Sequence, residues 1–191
     1  MGIVRKLISG LLGNYSVFFI YRFTRADAVR AVMRLDPALT LRLLDDHDAR
    51  SSLDPLTQAQ LQYFGPGSRA FACMQGPRVL GLCFYWAGDR YKERNFWPLG
   101  KHEAKLVQIV TSPTARGRGI ASSLISWSSD AMLEREFDTL YARIWHSNTP
   151  SLRAFARAGW KRIALVIELN PLRQSQPIRL NFGRRPIRPG E

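Results

Sequence analysis

Two hydrophobic periods alternate along the chain. Residues 16–23 (SVFFIYRF) are aromatic and β-branched, which predicts a first strand. Thr24 then stands where a helix N-cap belongs, and Asp27 supplies the acidic member of a capping box. Ala28, Val29, Val32, Met33 and Leu35 continue a helical stripe up to Pro37. Residues 39–67 are mixed, with Pro55 opening a short helix that reaches Tyr63. Residues 69–75 and 79–86 flank Gly76-Pro77 and read as an antiparallel hairpin. Residues 87–102 form a loop carrying Tyr91, Phe96 and Trp97, which either lines a pocket or anchors itself on the core. An apolar run from Ala104 leads through a basic turn into a helix with Ile120, Leu124, Ile125, Trp127, Ala131 and Met132 on its apolar face. Residues 139–145 (TLYARIW) are a strand, and a helix from Thr149 or Ser151 follows, stopped by Gly159. Residues 160–169 are another strand.

The two ends differ from this pattern. Ile3, Val4, Leu7, Ile8, Leu11 and Leu12 recur at helical spacing, so a short amphipathic helix is expected. It packs on its own domain or on a second subunit, or it docks on a membrane surface. Arg5 and Lys6 before an apolar stretch mimic a signal peptide, but Asn14 and Ser16 interrupt it and no small-residue cleavage site follows. Beyond Pro171 arginines alternate with prolines, which predicts a basic tail holding at most one edge strand, residues 178–182. The expected organisation is therefore an N-terminal segment 1–14, a domain 15–170 and a tail 171–191.

Charge narrows the class of partner. The 191 residues carry a formal net charge of +13 and a pI near 10.7, which favours anionic ligands: nucleotides, phosphates, nucleic acid or acidic lipid. The two cysteines, Cys73 and Cys83, lie in apolar runs and make neither a disulfide framework nor a zinc site. A reducing, cytoplasmic setting follows by default. The group Asp45, Asp46, His47, Asp48 has metal-ligand composition, but adjacent residues point apart, so a solvated loop or helix cap is the better reading and no metal is expected.

The chemistry concentrates in residues 104–137. An apolar strand and a short Pro-containing connector lead to Arg116-Gly117-Arg118-Gly119-Ile120-Ala121 at a helix start. A helix N-terminus offers unpaired N–H groups and a positive dipole end. Glycines let a phosphate approach the backbone, and arginines add charge. This segment resembles the signature of the GNAT superfamily of acyl-CoA-dependent N-acetyltransferases. Residues 145–160 (WHSNTPSLRAFARAGW) resemble the family's second motif, an Asn-containing strand end leading into a helix that finishes Gly-Trp. The resemblance covers residues 15–170.

The resemblance implies an α/β (α+β) fold: a mixed, mostly antiparallel twisted sheet, splayed between its fourth and fifth strands and flanked by helices. It implies acetyl-CoA as co-substrate, its pyrophosphate on the N–H groups of Arg118 to Ala121 with Gly117 and Arg116 nearby. The pantetheine arm would pair with the strand around Ile109, Val110 and Thr111, with the thioester near Trp145. Asn148 matches the family's Asn, as a cofactor ligand or as an ordinary helix-entry residue. A primary amine would attack the thioester directly.

Many members place a Tyr acid where this chain has Phe155. His146 and Glu103 are the next candidates for acid or base by chain order, with Tyr141 and Tyr85 behind them. Proximity alone also serves such an enzyme. The aromatic loop and the arginine excess point to an amino sugar, such as a nucleotide sugar, or another small, anionic amine as acceptor. The stretch 11–23 also resembles acetyltransferases of surface-polysaccharide synthesis.

Two rival readings stand beside this one. Gly117-x-Gly119-x-x-Ser122 is a near-miss to a dinucleotide fingerprint, without the acidic residue expected after the next strand. A non-catalytic protein binding nucleic acid through its basic surface would need no co-substrate. A homodimer and peripheral membrane contact through the N-terminal segment remain open.

Overall fold

The computed structural model describes residues 14–28, 36–92, 97–170 and 178–183. Strand β1 (Asn14–Thr24) leads into helix α1 (Arg25–Ala28). The capping box forms there: the Asp27 carboxylate accepts the Thr24 backbone N–H at 3.0 Å and its hydroxyl at 2.8 Å. The stripe of Val29, Val32, Met33 and Leu35 lies outside the described residues, as do the N-terminal amphipathic segment, Phe96 and most of the basic tail.

Residues 39–67 hold more structure than their mixed pattern predicts. β2 (Thr40–Leu44) pairs with β3 (Ser68–Gln75), and α2 (Asp46–Ser51) and α3 (Pro55–Gln58) lie between them. Asp45 caps α2 by accepting the Asp48 N–H, and Asp54 caps α3 by accepting those of Leu56 and Thr57. Asp45, His47 and Asp48 do cluster within 4.8 Å, all exposed. Their carboxylates act as a helix cap and as an ion pair from Asp48 to Arg42 at 2.7 Å.

The hairpin is β3 with β4 (Arg78–Trp86). α4 (Gly88–Lys92) follows, then β5 (Glu103–Thr111), α5 (Ile120–Arg135), β6 (Thr139–Trp145), α6 (Thr149–Arg157), β7 (Lys161–Asn170) and β8 (Ile178–Gly183). Among the described residues eight strands join one sheet in the order β2-β3-β4-β5-β6-β1-β7-β8. Every pair is antiparallel except β5–β6. The result is a mixed α+β fold with helices on both sides of a mostly antiparallel sheet.

The main core lies between the sheet and α5 and α6, where Phe23, Leu106, Leu124, Ile144, Phe155 and Trp160 meet. On the other side, Tyr63, Phe64, Phe84 and Trp86 pack beneath the short helices. Phe18, Ile20, Trp97 and Tyr141 form a smaller cluster. The aromatic loop belongs to these cores. Tyr91 and Trp97 are each 3% exposed, and the Tyr91 hydroxyl bonds both the carbonyl and the N–H of Trp97. These two rings offer no face to a ligand, so of the two readings of the loop the anchored one holds for Tyr91 and Trp97: burial of large aromatic surface outweighs exposure.

The splay is present, between β5 and β6 because β2 adds a strand ahead of it. Parallel pairing runs only from Glu103 and Thr139 to Leu106 and Ala142. At that point β5 carries a bulge. Tyr85 pairs with Leu106 and Phe84 with Gln108, so Val107 is the extra residue. A bulge bends its strand and sharpens its twist. Beyond it β5 stays with β4, up to Gly81 and Thr111, while β6 stays with β1.

Candidate active site

The divergence leaves the β6-facing edge of β5 without its strand partner from Val107 onward. It opens a cavity of about 230 Å³ with Lys105, Gln108, Arg143 and Trp145 on its walls. A second cleft of about 890 Å³ runs between the end of β5, the start of α5 and the start of α6. The two share Ile109, Asn148, Ser151 and Phe155, so they adjoin along these residues.

The floor of the larger cleft is the basic turn. Gly117 and Gly119 have φ of 80° and 77°, the left-handed region where a side chain is strained. A Cβ added to either would meet nothing within 4 Å, so their backbone faces open space. Gly119 is the N-cap of the 16-residue helix α5, with no side-chain cap bond and no acidic residue in the first turn. The first N–H groups and the positive dipole end therefore stay available.

Gly81 on β4 brings this helix start close to the sheet. A Cβ there would lie 3.1 Å from Ile120 Cγ2 and 3.2 Å from the Val110 carbonyl. Arg116, Arg153 and Arg157 line the cleft and are exposed. None has an acidic partner among the described residues.

Ile109, Val110, Thr111, Arg116, Gly117, Gly119, Ile120, Ala121 and Asn148 all line this cleft. Arg118 does not. Its guanidinium turns away, to Gln75 Oε1 at 3.4 Å and Asp36 at 3.6 Å, leaving only its backbone at the turn. Asn148 caps α6, its Oδ1 accepting the Ser151 N–H at 3.2 Å, while also lining both cavities. Phe155, 2% exposed, stands on the wall common to both.

The structure does not bring the proposed acid–base residues together. Glu103 opens β5 and His146 follows β6. In a parallel pair those positions are at opposite ends of the sheet, about 20 Å apart. His146 lines neither cavity, and its Nδ1 lies 3.0 Å from the Val17 carbonyl. Glu103 accepts the Gly100 N–H at 2.6 Å and the Tyr141 hydroxyl at 3.2 Å, at the closed end of the pair.

Tyr141 is 1% exposed. Burial, and then the neighbouring Glu103 carboxylate, push its phenol up to about 12. Tyr85 is enclosed in the core with its hydroxyl on Ser128 and Ser129, and burial holds it well above the usual phenol range. The strand-end positions were visible in the sequence, but which end each occupied was not. The sequence reading also missed Arg153 and Arg157. Their signal is the four-residue spacing that puts both on one face of α6.

A glycine-built N–H cradle, flanking arginines and a strand edge left open by a splay thus lie side by side. The profile of the acetyltransferase (GNAT) family matches residues 37–160, and the chain belongs to that family. No curated protein sequence matches it significantly.

Similar solved structures include a GNAT-family acetyltransferase from Colwellia psychrerythraea, with TM-score 0.57, 14% identity, and coverage of 87% of this chain and 60% of that one. A Drosophila protein aligns with TM-score 0.55 and 18% identity over 86% of this chain and 54% of its own. A tandem GNAT protein from the clavulanic acid biosynthesis pathway aligns with TM-score 0.52 and 10% identity, over 86% of this chain and 56% of its own. At these identities the likeness concerns the fold. The chain spans 54% to 60% of the length of the first two.

Proposed function

We propose that this protein is an N-acetyltransferase that moves the acetyl group of acetyl-CoA to a primary amine carried by a small, anionic acceptor. One observation carries the reading: the glycine cradle at the start of α5 adjoins the splay at Ile109, Asn148, Ser151 and Phe155. The backbone of Arg118 to Ala121 would hold the pyrophosphate, with Arg116, Arg153 and Arg157 screening its charge. The open edge of β5 at Ile109 to Thr111 would pair with the pantetheine amides. The thioester would then lie in the splay, beside Trp145.

The amine nitrogen attacks the carbonyl carbon, the N–C bond forms, the C–S bond breaks, and the proton the nitrogen loses passes to the departing thiolate, directly or through water, to give the amide and CoA thiol. N–H groups of β5 past the bulge stabilise the oxyanion. No Asp, Glu or His lines either cavity among the described residues. Positioning of the free amine therefore carries the rate, rather than His146, Glu103 or Tyr141. The formal net charge of +13 favours an acceptor bearing a carboxylate or phosphate over a polycation. An amino sugar or amino-sugar nucleotide meets that description. The two free cysteines are buried, in keeping with a reducing, cytoplasmic setting.

The test is thiol release from acetyl-CoA by the purified protein against a panel of amines. Turnover with anionic amines and little with polycationic aminoglycosides supports the reading. Turnover confined to polycations removes the acceptor assignment, and no turnover with any amine removes the activity.

A further inference from the structure

The bulge in β5 decides which side chain stands beside the splay. Ahead of it the strand alternates: Ala104 and Leu106 join the core beneath α5, and Lys105 turns to Tyr91 on the other side of the sheet. Unbroken alternation would send Gln108 the way of Leu106, under α5. Val107 is the extra residue, and it shifts the phase. Val107 and Val110 pack with the cluster of Tyr63 and Phe84, Ile109 packs with the main core, and Gln108 comes out on the side of α3.

There it meets Gln60. The Gln108 Nε2 donates to the Gln60 Oε1 at 3.0 Å. Gln60 is itself held by the turn after α3: its N–H donates to the Thr57 carbonyl at 3.0 Å, and its carbonyl accepts the Tyr63 N–H at 2.9 Å. A primary amide tied through its nitrogen still has its oxygen to accept with. The Gln108 Oε1 accepts no hydrogen bond among the described residues, and Gln108 is half-buried on the wall of the splay cavity. Asn148 and Ser151 also carry side-chain oxygens there. The Asn148 Oδ1 is engaged by the Ser151 N–H, and both residues lie where the splay adjoins the glycine cradle. Gln108 lines the splay cavity and not the larger cleft.

An amine attacks through its lone pair, so its N–H bonds must be turned away from the thioester carbon. A neutral amide oxygen accepts one of those N–H groups without favouring the ammonium form, which has no lone pair. A carboxylate at that point would favour the ammonium.

We propose that Gln108 orients the attacking amine, its Oε1 accepting one amine N–H, and that Gln60 is a positioning residue that fixes the Gln108 amide. The proposal rests on the acetyltransferase reading above. It leaves the balance of that reaction unchanged: nitrogen bonds the carbonyl carbon, sulfur departs with the proton the nitrogen loses, and Gln108 neither gains nor loses one.

Four variants test this: Gln108→Leu, Gln60→Leu, Gln60→Glu and the double Leu variant. Thiol release from acetyl-CoA is followed with glucosamine 6-phosphate, phosphoethanolamine and the amines of the panel above, beside calorimetric titration with acetyl-CoA and thermal melting. Gln108→Leu should lower kcat about tenfold, the worth of one hydrogen bond, with melting and acetyl-CoA affinity unchanged. Gln60→Leu should lower kcat less. Gln60→Glu keeps an oxygen for the Gln108 Nε2 and should restore most of that loss. The double variant should be no slower than Gln108→Leu alone, because Gln60 acts through Gln108. Undiminished turnover by Gln108→Leu, additive losses in the double variant, or a loss matched by weaker acetyl-CoA binding overturns the proposal and leaves the acetyltransferase reading standing. Wild-type protein that turns over no amine overturns that reading, and the proposal with it.

Discussion

Asn148 does two jobs, and substitutions separate them. As N-cap of α6 its Oδ1 accepts one N–H, from Ser151 at 3.2 Å, at an exposed position. Water partly replaces such a bond when it is lost, so Asn148→Ala should cost about 1 kcal/mol. For a chain of this length that is a fall in Tm of roughly 2–4 °C. Asn148→Ser and Asn148→Asp both keep a capping oxygen and should restore most of the loss.

They differ in charge. Asp places a carboxylate in a cleft lined by Arg116, Arg153 and Arg157, where the co-substrate phosphates would lie. Asn148→Asp should therefore melt like the unaltered protein yet bind acetyl-CoA more weakly than Asn148→Ser. Calorimetric melting and titration with acetyl-CoA read the two effects independently. Tm unchanged by Asn148→Ala would refute the capping argument. Equal affinity of the Asp and Ser variants would refute the placement of Asn148 beside an anion.

Other expectations follow from groups around the site. Tyr141 keeps its proton up to about pH 12 in the folded chain, whereas an unfolded phenol titrates near 10.0. The unfolded state thus binds fewer protons across that window, and stability should fall as pH rises through it. Tyr141→Phe should flatten that fall, measured by denaturant unfolding, and leave turnover at neutral pH unchanged.

Burial opposes ionisation of Asp27, but hydrogen bonds from Lys161 and Thr24 outweigh it and hold the carboxyl below its ordinary range. Its contribution is present at neutral pH and lost as pH falls through the folded-state pKa. Asp27→Asn should therefore destabilise at pH 7, and the difference between the two proteins should shrink in parallel melts as pH falls below the ordinary carboxylate range. Gly81→Ala should press on Ile120 and shift the start of α5, at a cost of about 1–3 kcal/mol. It should weaken acetyl-CoA binding, measured by titration, whereas Gly76→Ala, where a Cβ meets nothing within 4 Å, should leave binding unchanged.

The glycine turn before α5 was legible because its signal is local. Arg116 to Ala121 put two glycines and a helix start in six residues, and the structure folds them as one turn. The capping box at Thr24 and Asp27, also a short-range pattern, formed as read. β2 escaped notice because it is an edge strand, mostly exposed, whose residues TLRLL show no clean alternation.

The relative placement of the acid–base candidates was not legible, for a different reason. Glu103 and His146 were both recognised at strand ends, but chain order does not say that β5 and β6 run parallel. That direction alone puts the two residues at opposite ends of the sheet. Tyr91 and Trp97 show a related limit: an aromatic loop reads the same whether its rings face a ligand or the core, and tertiary packing decides.

The central claim is that the turn at Gly117 and Gly119 binds acetyl-CoA. Thermal melting with and without acetyl-CoA tests it most directly. At a ligand concentration about 100 times Kd, binding adds about 2.7 kcal/mol. For a chain of this size that is a rise of roughly 5–10 °C in Tm. The account predicts that rise, and predicts that Arg116→Ala and Gly119→Glu both diminish it. An unchanged Tm at saturating acetyl-CoA, or a rise indifferent to both substitutions, would contradict it.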